Sequence, residues 1–277
     1  MKYLLTNALF LTTLLFYSPA SAVSAGIEKG TVSPGNEQRE TNLEEAKSVY
    51  FDYYKDSKNL DRSIGILEEI LEKDPENLEA LLLLSRVWLT YGYAKAPNND
   101  EKSTAFKNGF EAASKALRLA PSNLDAHFYH VANLASWAET RGVIRSLFLL
   151  PKIRGGIEKI LELDPKHVYG LAMYGLLYYS LPGFLGGDLH LSEIYLKRAI
   201  GIDPHMSTLK IHLAKTLIKQ RKYDEAKDTL REIIEEKNPT FYADWYLNRK
   251  VAARMIVNIE KLEKKSDFNL TSLSSTE

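Results

Sequence analysis

The chain has 277 residues, 45% of them hydrophobic and 26% charged, with 36 basic and 36 acidic side chains and no cysteine. A formal net charge of zero argues against the long basic face that neutralises several phosphates, and Lys219, Arg221 and Lys222 are interleaved with acids, so no nucleic-acid partner is expected. Without cysteine there is no disulfide, no thiolate metal site and no lipidated thiol.

Met1-Lys2 precedes an apolar run over residues 3–17 and then Ser18-Pro19-Ala20-Ser21-Ala22. That order of charged start, short apolar core and small-residue cleavage site is the pattern of a secretory signal peptide over residues 1–22. The run is shorter than the roughly 20 residues that cross a bilayer. The expected product is an exported, periplasmic chain beginning at Val23, with no transmembrane span and no lipid anchor. Residues 23–40 contain Gly26, Gly30, Pro34, Gly35 and Asn36 with no helical period, and a disordered leader is expected there.

Between residues 41 and 265, helix-like runs close on a residue followed by proline at Pro75, Pro121, Pro165, Pro204 and Pro239, at intervals of 46, 44, 39 and 35 residues. Proline lacks an N–H and disfavours α geometry in the residue before it, so each marks a helix end. Counting back from the first four prolines, one seam position reads Ile70, Ala116, Ile160 and Ala199. A second reads Leu67, Ala113, Ile157 and Leu196, and a third, where a small residue allows close helix crossing, reads Ser63, Gly109, Ile153 and Ser192. Ile153 is the misfit. In the last unit, Ala226, Leu230 and Ile233 fit when counted from the start of their helix.

The first helices of two units carry Leu84, Ser85, Trp88 and Tyr174, Gly175, Tyr178 at corresponding positions. Together these positions resemble the tetratricopeptide repeat, a helix-turn-helix unit of roughly 34 residues that stacks into a superhelix. The expected fold is all-α: about five helix pairs over residues 41–265, closed by a capping helix over residues 240–264, with a disordered tail over residues 266–277. The excess length is expected in inter-helix turns at residues 96–100 and 181–188. A broken helix is expected within residues 141–160, where Pro151 and Gly155-Gly156 interrupt an apolar stretch.

Little chemistry is legible. Only His127 and His130 have helical i, i+3 spacing, and two ligands with an undictated carboxylate, Asp125 or Glu139, make no metal site. No nucleophile–base pair, paired-carboxylate loop or phosphate-cradling glycine turn is present, so no catalytic residue, metal or cofactor is assigned. Gly183-Phe184-Leu185-Gly186-Gly187-Asp188 reads as a turn that caps the next helix. The 16 tyrosines read mainly as core, with the surplus suited to a groove for an apolar ligand or peptide.

One stretch is more specific than a generic repeat: residues 126–138 with Asn133 and Trp137, then Asp164-Pro165, Tyr169-Gly170, and the Pro182 to Asp188 turn. It resembles the T component of tripartite ATP-independent periplasmic (TRAP) transporters, well over residues 124–204 and otherwise only as repeats. The lack of cysteine departs from that family's usual lipoprotein form. The resemblance implies a non-catalytic accessory protein that associates with a periplasmic solute-binding protein, an apolar small ligand, or both. The binding residues expected on that basis are Asn133, Trp137, Tyr169, Tyr174 and Tyr178, with Pro182, Gly186, Gly187 and Asp188 at a rim. The alternative is a general envelope scaffold gripping peptides or helices of an assembly or secretion machine, favoured by an open polar groove over a closed aromatic one. A third class is an exported enzyme using His127, His130 and an acid.

Overall fold

The computed structural model describes residues 34–274, so the proposed signal peptide, residues 23–33 and the last three residues lie outside the described residues. Every regular element among the described residues is helical: α1 (Pro34–Phe51), α2 (Lys58–Lys73), α3 (Leu78–Ala94), α4 (Asn99–Leu119), α5 (Leu124–Thr140), α6 (Val143–Leu163), α7 (Val168–Ser180), α8 (Leu189–Ile202), α9 (Ser207–Lys219), α10 (Tyr223–Glu235) and α11 (Tyr242–Ser274), with a 3-10 turn at Gly183–Leu185. This gives five helix pairs and a terminal helix, the all-α tetratricopeptide-type arrangement expected. The chain divides into two compact units at Met173 and Tyr174.

Between pairs, the punctuation is repeated and chemically explicit. Helices α2, α4, α6 and α8 end at Asp74, Ala120, Asp164 and Asp203, each directly before proline, and each donates its own N–H four residues back. Three residues after Asp74 and Ala120, Asn77 and Asn123 cap the next helix by accepting from Ala80 N at 3.0 Å and Ala126 N at 2.9 Å. His167 takes the same place before α7, its Nδ1 3.2 Å from Gly170 N. Such caps satisfy backbone donors that a helix start otherwise leaves open.

Within pairs, small residues bring backbones together. Ser63 Oγ donates to Ala46 O at 2.9 Å and Ser85 Oγ to Gly109 O at 2.7 Å. The misfit at Ile153 is resolved three residues later: a Cβ on Gly156 would lie 2.3 Å from Val131 Cγ2, so Gly156 is the close-approach residue of that pair and Ile153 is simply core. In the second unit, Leu196, Leu217, Ala226, Leu230, Ile233 and Ile259 form one buried cluster that seats α11 against α9 and α10.

Four expectations need correction. Helix α6 is continuous through Pro151 and the glycine pair; Pro151 is exposed, so the carbonyl that loses its donor opens toward water rather than the core. In the second pair the added length lies in the 21-residue α4, leaving only residues 95–98 as a turn. Helix α1 starts at Pro34, a residue well suited to a first turn, so residues 34–40 are helical rather than leader. Helix α11 continues to Ser274, nine residues into the expected tail, past a stretch rich in lysine and glutamate that favours helix. The turn at residues 181–188 is as expected.

Candidate functional site

The expected binding residues divide between the two units, and their roles separate once burial is considered. Asn133 is completely buried. Its Nδ2 donates to Ser85 O at 3.3 Å, Ser85 Oγ at 3.0 Å and Tyr129 O at 3.0 Å, while Ser85 Oγ donates onward to Gly109 O. A Cβ on Gly109 would lie 2.2 Å from Asn133 Oδ1. Asn133 is therefore a polar knot joining α3, α4 and α5, out of reach of any partner of the folded chain. Tyr169 is also core, its ring 4.9 Å from Phe128 and 5.7 Å from His167.

Trp137 keeps a surface. It is half-buried, 6.1 Å from Phe110 in a stacked arrangement, with the Arg141 guanidinium 5.5 Å from its ring. The two histidines of α5 look to different partners: His127 Nε2 lies 2.8 Å from Pro121 O, and His130 Nδ1 3.1 Å from Ser114 Oγ with its ring 4.6 Å from Phe110. Burial pushes the His130 pKa down. Among the described residues no three His, Asp or Glu side chains are placed to hold a metal ion.

In the second unit Tyr174 and Tyr178, one turn apart on α7, stack at 5.9 Å, and Tyr195 of α8 completes the cluster at 5.2 Å and 5.7 Å. All three are half-buried, and Arg198 lies 5.5 Å from the Tyr195 ring. Tyr179 faces a different neighbour: Lys219 Nζ sits 3.6 Å from its ring centroid and donates to Tyr179 O at 3.1 Å. Burial lowers the Lys219 pKa and raises that of Tyr179.

The turn before α8 is built by backbone geometry. Leu185 N and Gly187 N both donate to Pro182 O, and Asp188 N donates to Tyr178 O. Gly186 has φ +88°, and a Cβ on Gly187 would strike Leu181 O at 1.7 Å, so both glycines are structurally required. Asp188 Oδ1 accepts from His190 N at 2.8 Å and Leu191 N at 3.0 Å, a helix cap. The Gly-Gly-Asp motif thus shapes the turn, while Phe184 at its tip is 86% exposed.

Among the described residues a further concavity lies elsewhere, in the first unit, and was not singled out by sequence. It is a cleft of about 370 Å³ between α2, α3 and α4, with Leu81, Leu84 and Trp88 as an apolar floor and Glu68, Asn108, Glu111 and Lys115 among its walls. Leu81, Leu84 and Trp88 follow one another at helical i, i+3, i+7 spacing. That signal is in the sequence but is the same as that of ordinary core; only the placement of α2 and α4 shows that Trp88 stays half-buried beside the buried Leu81 and Leu84. Glu111 pairs with Lys107 at 3.4 Å across one helical turn.

No curated protein sequence matches the chain. Among solved structures, a thermophilic tetratricopeptide-repeat protein of Thermus thermophilus aligns with a TM-score of 0.60 at 17% identity, over 78% of this chain and 98% of that one, a likeness of fold. The pilF protein of Pseudomonas aeruginosa aligns over 87% of this chain and 99% of its own at 15% identity, with a TM-score of 0.49. Residues 193–243 match the tetratricopeptide-repeat family. Residues 42–183, just over half of the chain and including the cleft and the Asn133 knot, match the family described as regulator of microtubule dynamics protein 1-3, and the protein belongs to that family.

Proposed function

We propose that the protein is a non-catalytic, exported helical-repeat module that binds a segment of a partner protein in the α2–α3–α4 cleft. The observation that carries this reading is the cleft itself: an apolar floor ending in a half-buried Trp88, within walls that supply two carboxylates, an amide and an ammonium. Aromatic anchors in a partly desolvated pocket with a polar rim are the usual centres of protein recognition. An open groove of mixed polarity suits a peptide or helix better than an enclosed apolar solute, which moves the weight toward the scaffold reading. The Tyr174–Tyr178–Tyr195 cluster in the second unit is a separate aromatic surface for the same kind of contact.

The N-terminal signal-peptide pattern supports a periplasmic setting. The resemblance to the TRAP T component over residues 124–204 makes a solute-binding protein of that compartment the first partner to test. The family name speaks of microtubule dynamics for its named members, and no microtubule role is proposed for this chain.

The test is native mass spectrometry of the protein from its own cells, alongside a denatured sample, for the natural chain, Trp88→Ala and Tyr174→Ala. A complex with a solute-binding protein or other envelope protein that is lost in Trp88→Ala at unchanged helicity supports the cleft. A complex lost only in Tyr174→Ala assigns the contact to the second unit, and one indifferent to both overturns the reading.

A further inference from the structure

Helix α6 presents an apolar and cationic stripe that neither the repeat packing nor the cleft uses. Its inward face is fixed at both ends: Ser146 Oγ donates to Ala138 O at 2.6 Å, and Ile153, Ile157 and Ile160 are buried. Phe148 lies between these anchors, so it cannot turn inward without rotating the helix, and it is 79% exposed. Lys152 and Gly155 follow it at i+4 and i+7 on the same outward stripe, and both are exposed, as is Pro151 beside them. Leu147, Leu149 and Leu150 are half-buried around the ring.

The charge pattern gives the stripe a direction. From Thr140 to Ile157 the sequence contains Arg141, Arg145, Lys152 and Arg154 and no acidic residue, although the chain as a whole is neutral. We infer that this face of α6 docks reversibly on an anionic lipid surface, with Phe148 entering the headgroup–acyl boundary and Lys152 and Arg154 meeting lipid phosphates.

A convex helix face with one projecting aromatic ring fits a deformable lipid interface, whereas a protein groove would need a matching pocket. Long cationic side chains can lay their stems along the apolar region while their heads reach the phosphates. Helices of this composition lie in the interface plane, and their binding combines apolar burial with attraction to anionic lipid. A single inserted ring and a few cations make a weak, salt-sensitive contact rather than an anchor. This inference is independent of the cleft and of its partner.

Because the chain contains no cysteine, one can be introduced as a local reporter. Gly155→Cys is suitable, since a Cβ there meets nothing within 4 Å. The full chain carrying nitrobenzoxadiazole at that position is mixed with phosphatidylcholine vesicles and with vesicles containing phosphatidylglycerol. The expected result is a blue-shifted, several-fold brighter emission with the anionic vesicles alone, reversed by high salt.

Adding Phe148→Ser, or Lys152→Glu with Arg154→Glu, is expected to weaken this response about tenfold with unchanged circular dichroism. The reporter's emission is read at α6 itself, so binding through the N-terminal apolar run does not imitate it. A label that stays in water on both vesicles overturns the inference, even if the protein sediments with lipid. A response equal on neutral and anionic vesicles overturns the role of the cations.

Discussion

Asn133 shows how a single side chain can be recognisable in sequence and yet serve another purpose than binding. Its amide donates across from α5 to Ser85 of α3 and back to Tyr129 O of its own helix, and its carbonyl oxygen occupies the space that a Cβ on Gly109 would need. Asn133→Ala removes this buried amide and the bonds it donates, so a loss of about 2–3 kcal/mol is expected in chemical denaturation. Gly109→Ala forces the added methyl against Asn133 and is expected to cost about 1–3 kcal/mol. The double variant should cost less than the sum by more than about 1 kcal/mol, because removing the amide makes room for the methyl. Strict additivity would show that the two positions do not share this space. The residue type and its place in a first helix were visible in sequence. Its burial was not, because the partners that bury it come from 48 and 24 residues away in the chain.

At the scale of elements, α6 and α8 show two ways in which local chemistry departs from its first appearance. Pro151 reads as a helix break, but the buried isoleucines that follow its exposed position, with Ser146 before it, keep α6 continuous through it. Pro151→Ala restores an N–H donor and helix propensity, and a stabilisation of about 1 kcal/mol is expected as a raised Tm; a lowered Tm would show that the ring itself packs.

In α8, Glu193 has a side chain only 8% exposed, 2.6 Å from Lys197 and 2.7 Å from Lys222, which ties the helix to the start of α10. Burial alone would raise its pKa, but the bonds from Lys197 and Lys222 outweigh it and bring it down from 4.5 to about 2. The folded pKa lies below the unfolded one, so this group's stabilisation is present above about pH 4.5 and is lost as pH falls toward about 2. With both lysines partly exposed, its size is on the order of 2 kcal/mol. Denaturation of Glu193→Gln should therefore trail the natural chain near pH 7 and approach it across that acid window. A gap that persists unchanged at low pH would assign the loss to packing.

On the scale of the whole chain, the repeat was legible because proline, caps and seam residues recur, and each recurrence reports a local rule that needs no knowledge of distant neighbours. The cleft was less legible because Leu81, Leu84 and Trp88 obey the same period as buried core; Leu81 and Leu84 are indeed buried, and the half-exposure of Trp88 depends on helices on either side. The same locality has a thermodynamic consequence. Repeat arrays gain stability from each unit and its nearest-neighbour contacts, so damage need not spread evenly along the chain. Leu230 is completely buried among Leu217, Ala226, Ile233 and Ile259, and Leu230→Ala is expected to cost about 2–5 kcal/mol. Hydrogen exchange should show that cost as faster exchange in α9, α10 and the buried part of α11, with protection in α3, α4 and α5 close to that of the natural chain. A uniform loss of protection from α3 to α11 would mean that the two units open as one cooperative body.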